Sequence, residues 1–141
     1  MAKLLGIDYG EKRIGLAISD ENGVLAFPIE VLENNKNILE EMAKILKENQ
    51  VSKIVIGDSK DQNGAPNPIA GEIENFIIVL QKKFSIQVER QAEFFTSFES
   101  MRREGKGRNN ARKIKRIFEK KDDAKAAALI LQRYLDRTNR N

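Results

Sequence analysis

Residues 3–19, KLLGIDYGEKRIGLAIS, decide the fold of this chain. Lys3 to Tyr9 is a mainly apolar run that predicts a strand, and from Ile14 to Ser19 branched apolar residues alternate with small ones, which predicts a second strand. Gly10 to Lys12, between the two, indicates a tight turn. The two strands are therefore expected to pair as an antiparallel hairpin.

The spacing of apolar residues predicts the elements that follow this hairpin. Strands are expected at 24–31, 52–57 and 85–90, helices at 38–46, 69–80, 96–103 and 123–137, and a surface loop at 58–68. Alternation of helix and strand after the third strand implies right-handed crossovers onto one sheet. The order βββαβαβα resembles the α/β ribonuclease H-like architecture, a mixed five-stranded sheet with helices on both faces.

The composition limits the chemistry that the chain can perform. Its 141 residues suit a single domain, 1–141, and contain neither Cys nor His. This composition excludes a disulfide scaffold, a thiolate zinc site and imidazole catalysis. No apolar run is long enough to span a bilayer and no secretory leader is recognisable, so a cytoplasmic protein without a membrane partner is expected.

The positive charge is concentrated in one segment. The whole chain carries a formal charge of +4, yet residues 101–121 contain ten Lys or Arg and only two acids. A nucleic acid is the expected partner, bound through its phosphates. The alternatives are a solvated basic helix face and, for Lys12 and Arg13, ordinary turn residues. The candidate contacts are Lys12, Arg13, Arg102, Arg103, Lys106, Arg108, Arg112, Lys113, Lys115 and Arg116.

Asp8 is the first candidate site residue. Alternation along its strand places it on the face of Leu4 and Gly6. A carboxylate among apolar neighbours requires a cation, hydrogen-bond donors or solvent at the end of the sheet. Gly6 and Gly10 leave room for another backbone or a phosphate to approach closely. The alternative is an Asp that starts the turn after Tyr9.

Asp123 and Glu93 are the other two candidates. Asp123 precedes Ala127, Leu131 and Leu135 by four, eight and twelve residues, so it belongs to the helix stripe expected to face the sheet. The alternative is an N-cap at the start of the last helix, although Asp122 could supply that cap and leave Asp123 to point inward. Glu93 follows the predicted fifth strand and, taken alone, favours a loop residue. Together the three carboxylates suggest a Mg²⁺ or Mn²⁺ site, because hard cations prefer oxygen ligands.

Two stretches resemble the YqgF (RuvX) family of bacterial Holliday junction resolvase-like proteins. Residues 6–20, GIDYGEKRIGLAISD, are similar to its opening signature, and residues 123–136, DAKAAALILQRYLD, to its closing helix. The resemblance implies a ribonuclease H-like nuclease that matures the 5′ end of pre-16S ribosomal RNA or cuts branched DNA. It also implies two-metal hydrolysis with Asp8, Glu93 and Asp123 as ligands. A monomer or a weak homodimer is expected.

The motif around Glu93 departs from the family pattern. The family sequence Asp-Glu-Arg-Leu-Thr-Thr is replaced here by AEFFTS at 92–97, which keeps Glu93 but lacks the flanking Asp and Arg. The alternative function is therefore a non-catalytic nucleic-acid-binding module. A second alternative is nucleotide binding, because GIDYG at 6–10 also resembles the first phosphate-binding motif of the actin and sugar-kinase superfamily.

Overall fold

A computed structural model describes residues 3–59, 69–93 and 108–139; at 59, 92–93 and 108–122 it describes the backbone alone. Within these ranges the strands are β1 (Lys3–Tyr9), β2 (Arg13–Ser19), β3 (Ala26–Glu33), β4 (Val51–Ser59) and β5 (Gln87–Glu93). The helices are α1 (Ile38–Glu48), α2 (Ala70–Phe84) and α3 (Arg108–Thr138).

The five strands form one mixed sheet in the order β3-β2-β1-β4-β5. The strand β1 is antiparallel to β2, and β2 to β3, whereas β1 is parallel to β4 and β4 to β5. The two parallel connections each contain a helix, as crossovers require. The predicted mixed five-stranded architecture is confirmed.

Helices cover both faces of the sheet. One core lies beneath α1 and α2 and includes Leu5, Ile7, Ile14, Leu16, Ile54 and Ile56. The other core lies beneath α3, where Ala17 and Val55 contact helix residues such as Leu131. Neighbours in sequence thus serve opposite cores, because successive side chains of a strand point to opposite faces.

The last helix begins fifteen residues earlier than predicted. The prediction started it at Asp123, where the apolar spacing begins, but the helix starts at Arg108. Residues 108–122 contain neither Gly nor Pro and are rich in Lys and Arg, which favour helix. Asp123 is therefore internal to α3, and its interpretation as a helix N-cap is wrong.

Three strand boundaries also differ from the prediction. The strand β3 runs over 26–33 rather than 24–31, and β4 continues through Asp58 to Ser59, which the prediction gave to the loop. The strand β5 is displaced from 85–90 to 87–93, because Ser85 ends α2 in a left-handed conformation with φ 50°. Glu93 is consequently the last residue of β5 and not a loop residue. The rest of the predicted loop and the predicted helix 96–103 lie outside the described residues.

Candidate active site

Helix α3 approaches strand β2 very closely at Gly15. A Cβ atom added to Gly15 would lie 1.9 Å from the carbonyl oxygen of Asp123 and 2.9 Å from the backbone nitrogen of Ala124. No side chain fits this space, so glycine at this position allows the helix backbone to rest directly on β2. The close approach fixes where Asp123 lies relative to the sheet.

Asp8 lies at the same place on the neighbouring strand. It is the cross-strand partner of Gly15 in the β1–β2 register, and directly opposed residues point to the same face. The face of Gly15 is the one that α3 covers, so Asp8 also points to that face. Asp8 and Asp123 are 115 positions apart in sequence, and the fold places them at one level of one face.

A second glycine keeps the helix aligned with the strand. A Cβ atom on Gly6 would lie 2.9 Å from the carbonyl oxygen of Ala127 and 2.7 Å from Cβ of Leu131. Two residues along β1 advance about 6.7 Å, and four residues along α3 advance about 6 Å. The two advances are nearly equal, so the strand and the helix stay in step. Asp8 lies level with Asp123, and Gly6 lies level with Ala127, as the predicted stripe requires.

Arg13 supplies a positive charge at this site. Its Nε donates a hydrogen bond of 3.0 Å to Oδ2 of Asp123. Both side chains are about one-third exposed, 33% for Arg13 and 29% for Asp123. Such a pair is partly screened by water and is therefore modest in strength. The sequence-based prediction placed Arg13 on a phosphate and did not anticipate its contact with an acid.

The turn before Arg13 is held by Asn34, which the sequence analysis did not single out. The side-chain Nδ2 of Asn34 donates to the carbonyl oxygen of Gly10 at 2.9 Å, and its backbone nitrogen donates to that of Lys12 at 2.9 Å. These contacts tie the β1–β2 turn to the end of β3. An Asn just after a strand is a common turn signal, but its contacts with Gly10 and Lys12 have no signature in the sequence.

Glu93 lies at the same end of the sheet, two strands from β1. It pairs in register with Ser59 at the end of β4, and β4 pairs with β1. Two strand spacings separate β5 from β1 by about 10 Å. Alternate residues of a strand share a face, so Glu93 and Glu89 belong to the same face of β5. That face is the one covered by α3, because the Lys53–Glu89 ion pair lies there. Among the side chains that the structure describes, no three acids form a metal-binding group.

The candidate phosphate contacts fall in three places. Lys12 is exposed in the β1–β2 turn, and Arg13 lies on Asp123. Five belong to the part of α3 that precedes Asp123: Arg108, Arg112, Lys113, Lys115 and Arg116. The remaining three, Arg102, Arg103 and Lys106, are outside the described residues.

A separate polar cluster joins α3 to the opposite end of the sheet. Lys53 Nζ on β4 donates to the Tyr134 hydroxyl at 3.2 Å and lies 3.6 Å from Glu89 Oε1 on β5. The hydrogen bond with Tyr134 raises the pKa of Lys53 and lowers that of Glu89, whereas burial raises the pKa of Tyr134. Sequence reasoning missed this cluster, because it depends on a three-element register.

The strand order and the two helical layers place the protein in the ribonuclease H-like class of α/β folds. Two resolvase structures share the fold. The RuvC protein of T. thermophilus, in complex with a Holliday junction substrate, has a TM-score of 0.56 at 14% identity, covering 99% of this chain and 97% of that one. The fowlpox virus resolvase, in complex with Holliday junction DNA, has a TM-score of 0.57 at 15% identity, covering 96% and 98%.

The chain belongs to the RuvX family, whose model, described as Holliday junction resolvase, matches residues 2–137. A relative from Oenococcus oeni is 35% identical over 98% of this chain and 96% of its own length. One from Thermoanaerobacter pseudethanolicus is 34% identical over 95% and 96%. Both carry the name "Putative pre-16S rRNA nuclease". In the described part of the chain, the helices are too short or too polar to cross a membrane.

Proposed function

We propose that this protein is a divalent-metal-dependent nuclease that hydrolyses phosphodiester bonds, with Asp8, Glu93 and Asp123 as its catalytic and metal-binding residues. The observation that carries the proposal is the convergence of Asp8 and Asp123 where Gly15 admits the backbone of α3. The names of the relatives favour pre-16S ribosomal RNA as substrate, and the family resemblance favours its 5′ end. Branched DNA is the other substrate to be tested. We also propose that the protein acts in the cytoplasm.

The donor atoms of this site fit Mg²⁺ or Mn²⁺. Asp8 and Asp123 offer carboxylate oxygens from one face, and the chain has no His or Cys that would favour a softer metal. The guanidinium of Arg13 on Oδ2 of Asp123 indicates that a positive charge is favourable there. Glu93 would complete the set from the end of β5. When bound, such a cation supplies Lewis-acid activation of water and charge neutralisation at the phosphate.

The protein's own residues have two tasks in this reaction. The strands β1 and β5 and the helix α3 hold the carboxylates in a fixed arrangement, which reduces the reorganisation needed during catalysis. The basic part of α3 would bind the phosphate backbone. Arg112 and Arg116 precede Asp123 by eleven and seven residues, close to whole numbers of helical turns. These two positions therefore lie on the same side of the helix as Asp123.

Cleavage of labelled RNA tests this function. Wild-type protein, Asp8→Asn and Asp58→Asn would be incubated with a structured precursor RNA and with a four-way DNA junction, in Mn²⁺ or in chelator. Asp8→Asn is expected to lower the rate by at least about a hundredfold, since a lost metal ligand removes several kcal/mol of stabilisation. Asp58 is the matched control. It lies near the end of β4, at the same end of the sheet as Asp8, but it belongs to the face opposite to that of its neighbour Gly57. Cleavage that survives in Asp8→Asn or in chelator would refute the proposal.

A second candidate function is nucleic-acid binding without catalysis. Residues 92–97 favour it, because the family's Asp and Arg beside Glu93 are absent, and an Arg there would supply a bidentate phosphate contact. This candidate predicts salt-dependent RNA binding that Asp8→Asn leaves intact, with no cleavage by wild type.

We further propose that residues 1–141 act as a single domain, as a monomer or a weak homodimer.

A further inference from the structure

We propose that Arg13 is a positioning residue that sets the metal affinity of this site, because its ion pair with Asp123 must open before a divalent cation can take Oδ2. The inference rests on the proposed function, which places a cation between Asp8 and Asp123. Its basis is the 3.0 Å contact between Arg13 Nε and Oδ2 of Asp123. One of the proposed ligand oxygens is thus already engaged by a cation of the protein itself.

The position of Arg13 makes this contact a property of the fold. Arg13 opens β2 and precedes Gly15 by two residues, so both belong to the set that faces α3. Gly15 in turn fixes the backbone of Asp123. Arg13 therefore reaches Asp123 from the rim of the site, whereas Asp8 lies beside Gly15, one strand further in.

The chemistry of the pair suits an exchangeable counter-charge. The guanidinium of Arg13 offsets the negative charge of Asp123. Without metal, Arg13 relieves the repulsion that two neighbouring carboxylates experience. Because both partners are one-third exposed, the pair is weak enough for a divalent ion to displace. Arg13 thus stabilises the metal-free protein and opposes metal binding.

These opposing effects distinguish the proposal from a purely structural role. Removal of Arg13 should lower the melting temperature of the metal-free protein and leave the metal-saturated protein much less affected. A structural contact that persists in both states would lower both melting temperatures equally. The increase in melting temperature on adding Mn²⁺ should therefore be larger in Arg13→Gln than in wild type.

The test measures Mn²⁺ affinity by calorimetry, at fixed ionic strength, for wild type, Arg13→Gln and Lys12→Gln. Lys12 is the matched control, since it precedes Arg13, carries the same charge and is exposed in the turn. We expect Arg13→Gln to bind Mn²⁺ on the order of tenfold more tightly, the scale of a charge-assisted hydrogen bond. Lys12→Gln should change the affinity less than about twofold, as screened surface charges do.

A double-mutant cycle closes the test. In an Asp123→Asn background, where metal binding is itself lost, Arg13→Gln should no longer lower the melting temperature of the metal-free protein, because the pair that it removes is already absent. Equal affinities in wild type and Arg13→Gln, or equal increases in Arg13→Gln and Lys12→Gln, would overturn the inference and leave the proposed function standing. If wild type and both variants bind no Mn²⁺, the proposed function fails together with the inference.

Discussion

At the scale of single residues, Gly15 has the largest structural consequence. Asp123 and Asp8 share a level because the α3 backbone rests on a position without a side chain. The inward placement of Asp123 was predicted from its spacing to Ala127 and Leu131, and the glycine contact on Gly6 was expected in general terms. The partner of Gly15 was not predictable, since a close approach between distant segments leaves only a small residue in the sequence.

Gly15→Ala should therefore disturb both stability and site. Its methyl group would overlap the carbonyl oxygen of Asp123, so we expect a loss of about 3 kcal/mol in the free energy of unfolding, as in severe overpacking. Denaturant unfolding measures this change. Gly71→Ala is the matched control, because nothing lies within 4 Å of the added atom in α2. That variant should be neutral or more stable by up to about 1 kcal/mol. Equal effects in the two variants would contradict the proposed close contact.

At the scale of elements, α3 shows what apolar spacing can and cannot predict. The prediction from Asp123 to about Arg137 covers the part that packs on the sheet, where Ala127, Leu131 and Leu135 are buried. The helical residues before Asp123 were not predicted. Apolar periodicity reports contact with a core, and residues 108–122 are mostly polar. Their helical preference comes from composition alone.

The cluster of Lys53, Glu89 and Tyr134 ties three elements together and makes stability depend on pH. The pKa of Glu89 is lowered in the folded protein, first by its hydrogen bond with Tyr134 and then by the charge of Lys53. The unfolded chain therefore binds this proton more readily, and the contribution is lost as the pH falls through the acid range. Glu89→Gln should be destabilising by about 1 kcal/mol at pH 7 and much less at pH 3.

Urea unfolding of wild type and Glu89→Gln at the two pH values checks this expectation. Glu21→Gln, an exposed acid in the β2–β3 turn, is the control and should show no comparable difference. Part of the acid dependence should remain in Glu89→Gln, because the backbone N–H of Val24 also lowers the pKa of Asp20. A difference between wild type and Glu89→Gln that is the same at pH 3 and pH 7 would contradict the assignment.

The basic part of α3 should contribute to nucleic-acid affinity without sequence preference. Arg112→Gln and Arg116→Gln should each weaken RNA binding and reduce the slope of log K against log salt concentration by about 1. Fluorescence anisotropy at several salt concentrations measures both quantities. Lys82→Gln is the control, because Lys82 is exposed near the end of α2 on the opposite layer. An unchanged salt slope in both α3 variants would assign the binding surface elsewhere.

At the scale of the whole molecule, the order of elements was the most predictable property. The alternation along the strands, the two crossover helices and the turn residues all predict the sheet that is observed. Each local preference therefore agrees with the topology. The site was predictable only in part. Asp8 and Asp123 could be recognised as inward-facing acids. The contact of Arg13 with Asp123 and the position of Glu93 at the end of β5 could not, because they depend on how separate elements align, which no single segment encodes.

The central claim is that Asp8 and Asp123 share a divalent cation. Its most direct test is the melting temperature of wild type, Asp8→Asn, Asp123→Asn and Asp58→Asn, with and without Mn²⁺ at constant ionic strength. Wild type and Asp58→Asn should be stabilised by about 2–3 kcal/mol at a hundred times the dissociation constant, and the other two variants should lose this stabilisation. Equal stabilisation of Asp8→Asn and wild type, or none in wild type, would contradict the account.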